Sequence, residues 1–295
     1  MKKSISKTTA DLGLLSVTLF WGTTFILSKQ VLESVPLLSF LAVRLSLAAI
    51  FMIIIAFPRR SNLNKKTLKH GLILGSLLFF SYVTQMDGLK YTTASNAGFI
   101  TGLSVVFVPL FSILFFKTHP KLNSLIGVAL ATIGLLLLSG GNPFDWNKGD
   151  YLVLICAFLV TFHVILTGKF SRENDIYLLT AVQLSVTGIL SMIALPFSHS
   201  PLYIPSANHI LLLIYLALFG TVYTFLMQTA MQQYTTNTRT ALVFSMEPVF
   251  ATLFAYIFAG EILGTVAWIG GILILLGMLS AEIEWTKKLK VRSEK

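Results

Sequence analysis

Seven side chains, Trp21, Arg44, Gln85, Asn96, His163, Gln228 and Glu247, stand inside or at the mouth of stretches that are otherwise nearly pure hydrocarbon. Arg44 falls within LAVRLSLAAIFMIII, residues 41–55. A charge at mid-membrane costs about 2.5–3.5 kcal/mol on insertion scales, so it is retained where protein or water solvates it. Three roles suit it: a hub bonding carbonyls at helix ends, a ligand for an anionic group, or an outward snorkel. Glu247 precedes Pro248, which removes a backbone donor and bends or opens a helix. Its carboxylate can bind a cationic or amino group, take up a proton, neutralise a neighbouring charge or cap polar backbone. Pro109 offers a comparable kink in the first half of the chain, without a carboxylate.

His163 can hold a proton near neutral pH or simply bond a neighbouring helix. Gln85 and Gln228 donate and accept without charge, which suits a zwitterionic solute as well as helix-to-helix bonding. Asn96 stands where a helix begins, as a cap or a solute contact. Trp21, midway along its hydrophobic stretch beside Gly22, packs or lines a route rather than anchoring at an interface. All of this is reversible binding chemistry. The five histidines are dispersed at 70, 119, 163, 199 and 209, and no zinc spacing, glycine-rich phosphate loop or nucleophile–base pair occurs. No catalytic residue, metal or cofactor is expected, so uphill movement of a solute would draw on a gradient or on exchange.

The elements that position these groups are membrane spans. The 295 residues are 55% hydrophobic and 12% charged, against about a quarter charged in soluble domains. Hydrophobic runs of about 20 residues, enough to cross a ~30 Å slab as helices, recur along the chain. Ten spans are predicted at 11–31, 37–57, 69–89, 94–116, 122–139, 150–168, 177–195, 209–230, 240–259 and 262–282. The first is too long for a signal-peptide core and is read as retained. The single Cys156 excludes an internal disulfide. The net charge of +10 does not point to nucleic acid, because 18 of the 22 Lys and Arg fall in alternate connections, the N-terminus and the tail. That bias predicts cytoplasmic termini and an even number of spans, with the lipid bilayer as the partner of the basic loops.

The chain also repeats itself. QMDGLKYTTASNAGF (85–99) matches QTAMQQYTTNTRTAL (228–242) at an offset of 143, and Val106, Phe107, Gly127 and Gly134 recur as Val249, Phe250, Gly270 and Gly277. LAVRLS meets TAVQLS at an offset of 139, so Arg44 faces Gln183, and Lys29 meets Lys169 at 140. Five spans per unit is an odd number, so the second copy enters the membrane from the other side. Inverted repeats of this kind build the two gates of secondary transporters around one central site.

FWGTTFILSK, VRLSLAA, YTTASNAGFI and EPVFATLFAYIFAGE, in this order within a duplicated five-span layout, resemble the EamA type of the drug/metabolite transporter superfamily. The resemblance covers nearly the whole chain. It implies a ten-helix metabolite carrier of the inner or plasma membrane, commonly an exporter of amino acids or related small solutes, with a substrate route between the halves. The first repeat departs from it: Pro109 falls one turn later than the ungapped match to Pro248, and no Glu answers Glu261. The expected fold is thus an all-α polytopic membrane protein of two inverted five-helix repeats, 1–140 and 141–284, followed by a basic cytoplasmic tail, 285–295. The mirrored glycines of spans 5 and 10 serve close packing or a homodimer through those helices. A membrane-embedded enzyme or receptor, and a carrier of drugs or nucleosides, are the alternatives. Proton or exchange coupling stays open.

Overall fold

A computed structural model describes residues 5–139, 146–198, 202, 206–259 and 264–280. Lys2, Lys3, Glu261 and the tail 285–295 lie outside the described residues. Within them the chain is all-helical: α1 (Lys7–Leu32), α2 (Leu37–Ala56), α3 (Lys65–Gly88), α4 (Ala94–Gly102), α5 (Ser104–Phe116), α6 (Leu122–Ser139), α7 (Lys148–Phe170), α8 (Ile176–Ala194), α9 (Ala207–Ala217), α10 (Thr224–Met231), α11 (Asn237–Phe244), α12 (Glu247–Ala259) and α13 (Thr265–Ser280). A π-helical turn, Leu218–Tyr223, joins α9 to α10.

Local chemistry sets the helix starts. Ser6, Asn64, Thr93, Asp175, Ser206 and Thr236 each accept a bond from a backbone N–H two or three residues on, and Asn147 forms a reciprocal capping box with Asp150. These side chains satisfy donors that the first turn cannot pair within the helix. Among the described residues, six helical stretches are long and apolar enough to cross a membrane: Lys7–Leu32, Leu37–Asn62, Asn96–Phe115, Lys148–Phe170, Ile176–Phe197 and Ala207–Tyr234. Leu122–Leu138 and Thr265–Ser280 are apolar but shorter. The 24 residues of α3 are diluted by Lys65, Lys66, Lys69 and His70 at their start, and α11 and α12 are separated by a break at Ser245–Met246.

The breaks do not follow the prolines alone. α4 and α5 part at Leu103, whose N–H bonds Ile100 O at 3.1 Å, and α11 and α12 part at Met246, whose N–H bonds Val243 O at 3.0 Å. Both are tight i−3 turns at matched positions of the two repeats. Pro248 follows its break by two residues, in the first turn of α12, where a missing N–H costs little. Pro109 lies six residues past Leu103, inside α5. The expectation of a proline-centred break at Pro109 is therefore corrected: the chain opens one to two turns earlier.

Packing runs through small residues, because lipid offers no hydrophobic drive for helices to associate. α2 packs on α8, α3 on α7 and α8, α1 on α10, α11 and α12, and α6 on α13. A Cβ added at Gly127 would stand 2.5 Å from Gly277 O, and one at Gly134 2.6 Å from Gly270 O. The glycine faces foreseen as a homodimer surface are thus spent against each other within one chain. Ile50, Ile54, Leu114, Ile189, Ile193, Ile269 and Ile272 are exposed on the outside, as a lipid-facing belt requires.

The basic connections meet at one end. Arg59 pairs with Asp175 at 3.7 Å, Lys66 with Glu173 at 2.9 Å, and Arg172 Nη2 donates to Thr235 O at 2.8 Å. Lys90 and Lys148 lie at the other end, where Lys148 Nζ sits 4.9 Å from the Tyr91 ring centre.

Candidate functional site

Six of the side chains singled out above line one internal cavity of about 70 Å³: Trp21 on α1, Arg44 on α2, Gln85 on α3, His163 on α7, Gln228 on α10 and Glu247 at the start of α12. They come from both repeats. Thr24, Ser81, Tyr82, Thr101, Cys156 and Phe225 complete much of the wall. Asn96 is placed elsewhere: its Nδ2 donates to Asp150 Oδ1 at 2.7 Å and to Thr92 Oγ1 at 3.2 Å, near the mouth of α4.

Arg44 is 1% exposed and does not snorkel. Its Nε donates to Thr221 Oγ1 at 3.2 Å, Nη1 to Ser28 Oγ at 3.3 Å, and Nη2 to Tyr82 OH at 3.5 Å and Gly220 O at 3.4 Å. The guanidinium carbon also stands 5.0 Å from the Tyr82 ring centre. Two of these acceptors, Thr221 and Gly220, belong to the π-helical turn. Side chains on α1, α2 and α3 are so tied to the α9–α10 junction by one residue. No carboxylate among the described residues lies within ion-pair distance of the guanidinium, so Arg44 and Glu247 share a cavity without forming a salt bridge.

Glu247 is partly buried, and no hydrogen bond or ion pair among the described residues engages its carboxylate. Gln228 is 1% exposed; its Nε2 donates to Gln232 Oε1 at 3.0 Å, and its Oε1 has no partner. A buried acceptor without a donor is costly unless something supplies one. Gln85 Nε2 donates to Thr101 Oγ1 at 3.3 Å. His163 Nε2 lies 3.1 Å from Gln183 Oε1, so with that acceptor the Nε2 carries the proton; Gln183 in turn donates to Thr229 Oγ1 at 3.5 Å. Gln183, the repeat counterpart of Arg44, thus acts behind the wall, through the histidine.

Trp21 both packs and lines. Its ring meets Phe244 edge-on at 5.0 Å and Phe225 at 5.6 Å. Gly22 behind it lets α12 approach, since a Cβ there would fall 2.6 Å from Phe250 Cβ. The cavity therefore offers unfilled acceptors from Gln228 and Glu247 beside an aromatic wall, while Nε, Nη1 and Nη2 of Arg44 are each bonded to protein. It can hold a small polar group bearing N–H donors, and its present volume suits a few waters rather than a whole metabolite.

Sequence reasoning missed Tyr82, Thr221 and Cys156, which look like ordinary span residues, and it passed over Asp11 and Asp150. The last two carried a signal: they match at the 139 offset that also pairs Arg44 with Gln183.

Comparison with known proteins gives the family of the chain. The family described as "EamA-like transporter family" matches twice, over residues 8–140 and 147–281. A protein of Archaeoglobus fulgidus named "Uncharacterized transporter" is 35% identical over 277 residues, covering 94% of this chain and 87% of its own length. The "Uncharacterized inner membrane transporter YedA" of Escherichia coli K12 is 25% identical over 288 residues, covering 90% of this chain and 89% of its own. A solved chain titled "Crystal structure of protein" superposes with a TM-score of 0.77 at 19% identity, covering 94% of this chain and 97% of that one, and so shares the fold. With two family matches spanning nearly all of it, this multi-pass membrane protein belongs to the EamA-like transporter family, a family of transporters rather than enzymes.

Proposed function

We propose that the protein is a secondary transporter that exports amino acids or related small solutes by alternating access. The observation that carries this reading is the central cavity: one polar, partly unsatisfied site walled by both repeats, too small in this arrangement to hold a metabolite. A solute must widen it, which is what a carrier's cycle does and a static pore does not. The carboxylate and free amide oxygen favour an amino group; Arg44, already bonded to protein, is a hub that holds the site together.

The ten-span, inverted-repeat reading takes α4 with α5, α9 with α10 and α11 with α12 as single interrupted crossings, in units 1–140 and 141–284 with the tail 285–295. It is supported by the exchange of neighbours: α6 packs on α13 and α2 on α8, while α4 and α5 meet α7 as α11 and α12 meet α1. The basic end would face the cytoplasm of the plasma or inner membrane, with both termini there. A cavity of about 550 Å³ lies at that end, walled by Tyr177, Tyr223, Met227, Met231 and Tyr234, and would admit solute from the cytoplasm. A homodimer, if formed through α6 and α13, would use their outer apolar faces.

Comparing the metabolites released by cells with and without the protein tests export; equal profiles would overturn it. Coupling is tested with the solute so found in proteoliposomes. Glu247→Gln is expected to remove the pH dependence of uptake, and an unchanged profile would sink proton handling by Glu247.

A further inference from the structure

Two buried carboxylates outside the central cavity form matched clusters at opposite ends of the bundle. At the basic end, Asp11 of α1 accepts Thr235 Oγ1 at 3.3 Å on one oxygen and Arg239 Nη2 of α11, in close contact, on the other. At the far end, Asp150 of α7 accepts Thr92 Oγ1 at 2.6 Å and Asn96 Nδ2 at 2.7 Å. Asp11 and Asp150 are 6% and 1% exposed. The correspondence is residue by residue. Asp11 matches Asp150 at an offset of 139, and Thr235 and Arg239 match Thr92 and Asn96 at 143. Capping repeats too, since Thr93 and Thr236 accept the N–H groups of Asn96 and Arg239.

We propose that these clusters are the latches of the two gates. Asp11–Thr235–Arg239 holds α1 to α11 across the basic end, Asp150–Thr92–Asn96 holds α7 to α4 across the other, and each parts when the cavity opens to its own side. The placement argues for this. Each latch joins the first helix of one repeat to the fourth of the other, and a rocking of one repeat against the other would part such cross-repeat contacts first. Neither carboxylate touches the central cavity, so neither is needed to wall the solute. When the helices part, Asp11 loses its bonds to Thr235 and Arg239, and Asp150 loses those to Thr92 and Asn96 and keeps only the Asn147 N–H of its own capping box, so each buried charge is best satisfied while the two helices stay together. The latches differ in one respect: the basic end carries a full ion pair, and the far end a carboxylate held by an amide and a hydroxyl.

The proposal rests on the alternating-access reading, and the chain carries its own reporter. Cys156 is the single cysteine, 1% exposed, on the wall of the central cavity. A membrane-impermeant maleimide is applied to sealed vesicles of either orientation containing the full-length protein. Asp11→Asn is expected to raise Cys156 labelling from the basic face about tenfold, equivalent to ~1.4 kcal/mol in the closed–open balance. Asp150→Asn is expected to do so from the opposite face only. The charge swap Asp11→Arg with Arg239→Asp is expected to return labelling to within about twofold of wild type, which loss of folding would not do. Variants that open the cavity to neither face, or both to the same face, or a swap that restores nothing, would overturn the latches and leave the carrier reading standing. Variants that each expose Cys156 to both faces at once would overturn alternating access itself.

Discussion

At the residue scale the molecule turns on how a few buried polar groups are satisfied. Arg44 reaches two of its four partners, Gly220 and Thr221, across 176 and 177 residues of chain, in a helical turn that no hydropathy pattern reveals. That distance is why its role was open in the sequence, whereas its polarity within LAVRLS was plain. Replacing Thr221 by Val keeps the shape and removes the acceptor of Arg44 Nε. The expected loss is about 1–3 kcal/mol, the penalty for a buried donor left unmet, read as a lower Tm of the detergent-solubilised protein. Arg44→Gln is expected to lower Tm further and to abolish transport with it, since the hub ties four elements. Gln85 and Gln228 were legible as a pair because the repeat aligns them. Asp11 and Asp150 align in the same way, but a carboxylate near a span end reads as topology until the partner helix is seen. Trp21→Ala would enlarge the cavity between Phe225 and Phe244, and the expected outcome is transport of bulkier solutes than the wild type accepts.

At the element scale, close approach is what a membrane bundle can select. α6 and α13 meet at glycine carbonyls, and a side chain at Gly134 has nowhere to go between Gly270 O and Ile274. Gly134→Val is expected to destabilise by about 1–3 kcal/mol through overpacking, again read in Tm, while Gly264→Val, with open space around it, should change Tm little. The sevenfold spacing of these glycines showed a packed face in the sequence; whether the partner was another copy or another helix of the same chain is a tertiary matter the spacing does not contain. At the basic end, the Glu173 carboxylate is held below its ordinary range, first by the hydrogen bond from Lys66 Nζ. A lowered folded pKa stabilises above the unfolded value and is lost as pH falls through the folded one. The Tm difference between wild type and Glu173→Gln, small at neutral pH for so exposed a pair, is therefore expected to vanish on acidification.

At the scale of the whole molecule, the two halves are alike in neighbours and unlike in charge: Arg44 against Gln183, Arg239 against Asn96, Glu247 against Ser104. The membrane class and the duplication were visible in composition and offsets, since both depend on patterns along the chain. The central cavity was not, because it is made where the halves meet. One difference between them has a definite length. The cap of α3, Asn64, and the cap before α9, Ser206, correspond at an offset of 142, yet Gln85 and Gln228 correspond at 143. A single extra residue lies between, and the wide turn at Leu218–Tyr223 is where the second half stores it. The α3 stretch has no such insertion and runs as an unbroken helix. Had the extra residue been spread along the helix instead, every side chain beyond it would have rotated by about 100°, and Gln228 would face away from the cavity. Looping it out locally keeps Gln228 in phase with its counterpart, in the same turn whose Gly220 carbonyl and Thr221 hydroxyl Arg44 holds.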